Sequence, residues 1–118
     1  MRIAIDFDVA DKDRAAAFWC AVLGYEVFGG AAQYCSIQPP AGMLGPKFIL
    51  QQVDEPKVAK NRMHIDLDLD PGEDLATEVD RIVALGATKL WGPVEELGMC
   101  WVTLADPDGN EFCICASC

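Results

Sequence analysis

Residues 61–69 read Asn-Arg-Met-His-Ile-Asp-Leu-Asp-Leu, so that Met63, Ile65, Leu67 and Leu69 alternate with Arg62, His64, Asp66 and Asp68. Alternation of period two over this length predicts a half-buried β-strand, with one face on a core and the other turned outward. Residues 2–9, Arg-Ile-Ala-Ile-Asp-Phe-Asp-Val, match residues 62–69 position by position. The one change of chemical character is Ala4 against His64. The chain therefore reads as a duplication that carries a histidine in its second copy only.

The remaining elements repeat in the same way. Asp11 caps a helix over residues 12–23, whose apolar stripe is Ala15, Phe18, Trp19 and Val22 and which Gly24 ends. A short strand at 25–28 turns through Gly29-Gly30 into a strand at 34–38, and Pro39-Pro40 closes it. A loop at 41–46 leads to a strand at 47–53. After a charged, proline-containing linker the pattern recurs: strand 62–69, a cap at Asp70-Pro71, and a helix at 72–85 burying Leu75, Val79, Ile82 and Val83. Strands at 88–91, 100–105 and 111–115 follow, with a loop at 92–98 and a tight Asp-Pro-Asp-Gly-Asn turn at 106–110. This predicts an α+β fold of two tandem βαβββ modules in one domain, 1–118. Module one is 1–54, the linker 55–61 and module two 62–118. Each module has a helix on its outer sheet face, and the curved sheets are expected to form a cup with the polar strand faces inside.

Composition narrows the partners. A chain of 118 residues is long enough to bury a core. A net charge of −10 opposes nucleic acid and anionic membrane surfaces and favours cationic ligands. No apolar run approaches a membrane span, and no leader-like segment opens the sequence. A cytoplasmic location is the expectation. The six cysteines, at 20, 35, 100, 113, 115 and 118, lack the paired spacing of a zinc ribbon. Most are expected to be small buried hydrophobes, with Cys118 exposed and prone to oxidation.

Candidate chemistry collects on the outward strand faces. His64 is the only histidine, and imidazole suits proton transfer near neutrality; a hydrogen-bonded pocket histidine is the plainer reading. Asp6, Asp8, Asp66 and Asp68 form either a negative floor for a cation or partners for Arg2 and Arg62. Cys113 and Cys115 share one face; a thiolate at 113 would need a nearby cation, and packing is the simpler role. Trp91 and Trp101 either stack on a flat ligand or pack in the core. Glu111 is expected on the turn surface.

The paired βαβββ modules, Ala10-Asp11 with Phe18-Trp19 and Leu23-Gly24-Tyr25, residues 61–68, Leu85-Gly86-Ala87 and the stretch Leu-Ala-Asp-Pro-Asp-Gly-Asn-Glu-Phe-Cys at 104–113 together resemble the vicinal oxygen chelate superfamily. That superfamily includes glyoxalase I, extradiol dioxygenases, fosfomycin-resistance enzymes and bleomycin-binding proteins. The resemblance implies metal ligands at positions corresponding to Ala4, Gln51 (or Gln52), His64 and Cys113. Alanine cannot ligate, and cysteine replaces the usual carboxylate at 113, so the implied set is incomplete: His64, Gln51 and Cys113. Two readings follow. One is a glyoxalase-like protein that binds a small organic molecule in the cup, with His64, Asp6, Asp8, Gln51, Asp66, Trp101 and Cys113 as the residues around it. The other is a metal-dependent isomerase, lyase or dioxygenase acting on a vicinal-oxygen substrate. There a divalent Zn, Mn, Fe or Ni ion would be the cofactor, with His64 as ligand or base. The resemblance also implies a homodimer.

Overall fold

The computed structural model describes all residues, Met1–Cys118. The chain divides into two compact units, Met1–Pro56 and Lys57–Cys118. The first contains β1 (Ala4–Val9), α1 (Lys12–Leu23), β2 (Glu26–Ala31), β3 (Tyr34–Gln38) and β4 (Lys47–Gln52). The second repeats that order with β5 (Ile65–Asp68), α2 (Leu75–Ala84), β6 (Thr88–Glu96), β7 (Met99–Ala105) and β8 (Glu111–Ser117). The fold is α+β, two βαβββ modules in tandem.

In each unit the first strand pairs in parallel with the last. The orders are β1-β4-β3-β2 and β5-β8-β7-β6. A parallel pair needs a long crossover, and the helix with its two following strands supplies it. In the first unit α1 lies against β2, β3 and β4. Between helix and sheet are Val9, Phe18, Trp19, Ile37, Phe48 and Leu50, all buried. Phe7 packs against Trp19 and Phe48 at centroid separations of 5.5 and 5.2 Å. The α1 cap is as expected: the Asp11 side chain accepts from the Asp13 and Arg14 N–H groups, each at 3.0 Å. Gly24, at φ 70°, ends the helix in the left-handed region that glycine enters at no steric cost. In the second unit α2 lies against β6 and β8. Val79, Ile82, Val102, Leu104, Phe112 and Ile114 are buried there.

Several boundaries depart from expectation for local reasons. β2 runs through Gly29-Gly30 rather than turning there, with a bulge between Val27 and Gly29. As an edge strand it tolerates the glycines; the turn falls at Ala32-Gln33, where Ala32 has φ 52°. The α2 cap is Asp74, whose carboxylate accepts from the Thr77 N–H at 2.9 Å. Asp70-Pro71 instead opens a turn, with the Glu73 N–H donating to the Asp70 carbonyl at 3.1 Å. Val83 is 40% exposed, so the stripe of α2 is narrower than expected. Residues 92–98 are not a free loop: β6 continues to Glu96, and Leu97-Gly98, with φ of 54° and 78°, make a tight hairpin turn.

The cysteines follow their burial. Cys35, Cys113 and Cys115 are buried and free. Cys118 is not a lone oxidisable thiol but is paired with Cys100 in a disulfide across 18 residues. No helix is long and apolar enough to cross a membrane.

Leu104 is fully buried under α2. Leu104→Ala is expected to cost about 2–5 kcal/mol of the second unit's stability. Urea unfolding followed by near-UV circular dichroism checks this, and a loss well under 1 kcal/mol would contradict the packing described.

Candidate functional site

Period-two geometry divides each sheet into a helix face and an open face. On β5, Ile65 and Leu67 turn toward the helix side, and Asp66 and Asp68 lie exposed on the other. The parallel register sets Asp66 beside Cys113 and Asp68 beside Cys115 on β8. Beyond them, Thr103 lies opposite Cys113 and Trp101 opposite Cys115 on β7. One continuous row of side chains therefore crosses three strands. His64, Asp66, Asp68, Met99, Trp101, Cys113 and Cys115 line an open depression of about 360 Å³. That volume is toward the small end of ligand pockets.

The electrostatics of the depression are negative. Burial raises the Cys115 thiol, and Asp66, Cys113 and Asp68 add to it, together pushing its pKa up to about 11. The Cys113 Sγ lies 3.3 Å from the Thr103 hydroxyl, a hydrogen bond that occupies the thiol. Around Cys115 the charged neighbours are acidic, the opposite of the cation that would make a thiol a nucleophile. His64 is exposed, and its Nε2 lies 3.1 Å from the Asn61 carbonyl.

Glu111 departs most from expectation. It does not sit free on the turn surface: its side chain is only 10% exposed. One carboxylate oxygen accepts from Lys57 Nζ at 2.9 Å and the other from the Asn61 N–H at 2.9 Å. Burial works to raise this carboxyl, but the Asn61 and Lys57 hydrogen bonds outweigh it and hold the pKa below the ordinary carboxylate value.

In the first unit the open face carries Asp6 and Asp8. Gln51 lies opposite Asp8 on β4, and Tyr34 opposite Gln51 on β3. Gln52 turns to the helix side, where its Oε1 accepts from the Lys12 N–H at 3.1 Å. The outward position thus falls on Gln51. Burial, and then the neighbouring Asp8, raise the Asp6 carboxyl. A separate apolar groove of about 1020 Å³ lies at the start of β1 and β4, lined by Ile3, Phe28, Met43 and Leu44 among others, with Arg2 and Lys47 its charged side chains. It presents no carboxylate to a cation.

Within the second unit the His64 imidazole, the Asp66 and Asp68 carboxylates and the Cys113 thiol line one depression, but no three of their ligand atoms lie within 4.8 Å of one another, so a hard divalent ion finds no ready-made set there. The cluster of donors that does converge is elsewhere: Glu95, Cys100 and Cys118, with ligand atoms within 4.8 Å of one another. Its two sulfurs are bonded to each other.

Of the residues singled out from the sequence, His64, Asp66, Trp101 and Cys113 share the depression, while Asp6, Asp8 and Gln51 lie together on the first unit's open face. Met99 was legible only through its place two residues before Trp101. Trp91 is half-exposed, with Lys60 Nζ 5.8 Å above its ring.

The family model of the glyoxalase-like domain matches residues 2–115. The chain resembles a glyoxalase/bleomycin resistance protein/dioxygenase family enzyme from Burkholderia phytofirmans PsJN, at 17% identity and a TM-score of 0.80, over 98% of this chain and 97% of that one. It resembles the hypothetical protein SA1046 from S. aureus at 18% identity and a TM-score of 0.73, over 98% and 96%. It also resembles the fosfomycin resistance protein FosX from Mesorhizobium loti at 16% identity and a TM-score of 0.75, over 100% and 92%. No curated protein matches the chain.

The raised Cys115 pKa has a readable consequence. Raising the value from 9.0 to about 11 cuts the thiolate at pH 8 by about 100-fold, so Cys115 should alkylate far more slowly in the folded than in the unfolded chain. The same proton is held by the folded state up to the higher value. Its contribution to stability is therefore complete below pH 9.0 and is lost as pH climbs toward about 11. Site-resolved mass spectrometry of iodoacetamide labelling, with Asp66→Asn speeding the reaction, checks the first, and urea unfolding between about pH 8 and about pH 11 checks the second. Labelling at the unfolded rate would contradict the field described.

Proposed function

The chain belongs to the glyoxalase-like domain family, within the vicinal oxygen chelate superfamily, and on that premise we propose that it binds a small organic cation on the open face of its second unit. The observation that carries this reading is the make-up of the depression: Asp66 and Asp68 along one edge, Trp101 and Met99 along the other. Two carboxylates attract a cation, and an indole face holds one that is flat by stacking and by its quadrupole. The Cys115 thiol stays protonated on the floor, with the buried Cys113 beside it. The net charge of −10 adds long-range attraction. The similarity to proteins described as bleomycin resistance and fosfomycin resistance proteins supports a small-molecule ligand and leaves its identity to experiment.

His64 gives this site a second capacity. Its ring lines the same depression, and Nε2 is bonded to the Asn61 carbonyl. The neutral ring then keeps its lone pair on Nδ1, where it serves as a proton acceptor toward a bound molecule. A homodimer is the assembly we associate with this function.

Binding of N-methylquinolinium, followed by quenching of tryptophan fluorescence, tests the main reading. Saturable binding is expected, weakened about tenfold or more by the pair Asp66→Asn and Asp68→Asn, which corresponds to about 1.4 kcal/mol or more. Binding should also fall with salt. No saturable binding at millimolar cation, or equal affinity in the double variant, would sink the proposal.

A further inference from the structure

We propose that Glu111 is a positioning residue for His64: its carboxylate locks the segment 57–61 to the start of β8, and the locked Asn61 carbonyl holds the imidazole by Nε2. The inference rests on the reading of His64 as the site's proton acceptor. Its test is independent of whether any cation binds.

His64 has little else to hold it. It stands one residue before β5, in a stretch from Lys57 to His64 without helix or strand. An exposed ring on such a segment would sample many orientations. Glu111 removes that freedom from below. Lys57 Nζ donates to one of its carboxylate oxygens at 2.9 Å and also to the Ala59 carbonyl, closing the segment on itself. The Asn61 N–H donates to the other oxygen at 2.9 Å. The Asn61 side-chain amide completes the lock when its nitrogen faces Glu111 Oε2 at 3.1 Å and its oxygen faces the Glu111 N–H at 3.3 Å.

These contacts involve an ionised acceptor that is nearly buried, so they are stronger than neutral ones and costly to leave unmade. The result is a fixed carbonyl. Asn61 gives its N–H to Glu111 and its C=O to His64 Nε2, 3.1 Å away. A ring bonded in that way has one orientation and one tautomer, with Nδ1 left as the acceptor. Glu111 is not among the residues that line the depression. Its effect on the site passes through Asn61.

Because His64 is the only histidine, a long-range ¹⁵N–¹H correlation through the non-exchanging ring C–H protons at alkaline pH reads the tautomer of this ring alone, and nuclear Overhauser contacts from those protons to the Asn61 backbone read its orientation. The wild type is expected to show the widely separated ring ¹⁵N shifts of an Nε2–H tautomer together with contacts to Asn61. Glu111→Gln keeps an acceptor for the Asn61 N–H but loses the charge, so the contacts should remain and weaken several-fold. Glu111→Ala removes both bonds, and the two ring ¹⁵N shifts should move toward each other and the contacts be lost while the amide spectrum stays dispersed. A merely structural carboxylate would leave the ring shifts and contacts unmoved in any variant that folds. The proposal is overturned if the wild-type ring carries its proton on Nδ1, or if Glu111→Ala retains the wild-type shifts and contacts. Should Glu111→Ala fail to fold, Glu111→Gln decides alone, and contacts equal to wild type overturn the proposal.

Discussion

The parallel pairing of β5 with β8 is the constraint on which the site depends. Parallel neighbours cannot be joined by a hairpin, so α2, β6 and β7 must intervene, and the helix covers one sheet face. Once Ile65, Leu67, Phe112 and Ile114 are committed to that side, period-two geometry turns Asp66, Asp68, Cys113 and Cys115 to the other. A slip of one residue would bury two carboxylates under α2 and expose the core. The hydrophobic register and the chemistry of the open face are thus one decision. The β1–β4 pair repeats the decision in the first unit, where Ala4 in place of a histidine leaves Asp6, Asp8 and Gln51 as the polar row.

The resulting face favours binding a positive charge over attacking a substrate. Burial, and then acidic neighbours, keep Cys115 protonated, and Thr103 occupies Cys113. A thiolate nucleophile needs the opposite surroundings. Beside Cys113 the carboxylates of Asp66 and Asp68 and the His64 imidazole line the same depression without three of their ligand atoms coming within 4.8 Å of one another. What remains is a shallow acidic surface with an indole and a thioether beside it, and an imidazole at its margin.

Much of this was legible in the sequence because it follows from alternation. The repeat, both helices, the open-face residues and the superfamily are carried by residues whose neighbours in space are set by period two or by a helical stripe. The misses have a common origin in contacts that local pattern does not encode. Asp74 displaced Asp70 as a cap because Gly72, at φ 90°, delays the helix. Gly29-Gly30 looked like a turn, yet an edge strand absorbs glycines through a bulge. Val83 lies on the edge of the α2 stripe, and only packing shows that the sheet does not reach it. The Cys100–Cys118 pairing joins the beginning of β7 to the end of β8, a match set by strand register. Glu111 looked like a turn residue because its partners, Lys57 and Asn61, lie 54 and 50 positions away.

The most direct test of the central claim is where an aromatic cation lands. Titrating N-methylquinolinium into ¹⁵N-labelled protein and mapping the amide shifts locates it without assuming affinity or activity. The account predicts that the largest shifts fall on Asp66, Asp68, Trp101, Cys113 and Cys115 and saturate together, with the Trp101 indole N–H moving in step. Shifts confined to the apolar groove around Phe28, Met43 and Leu44, or spread without saturation over both units, would contradict it.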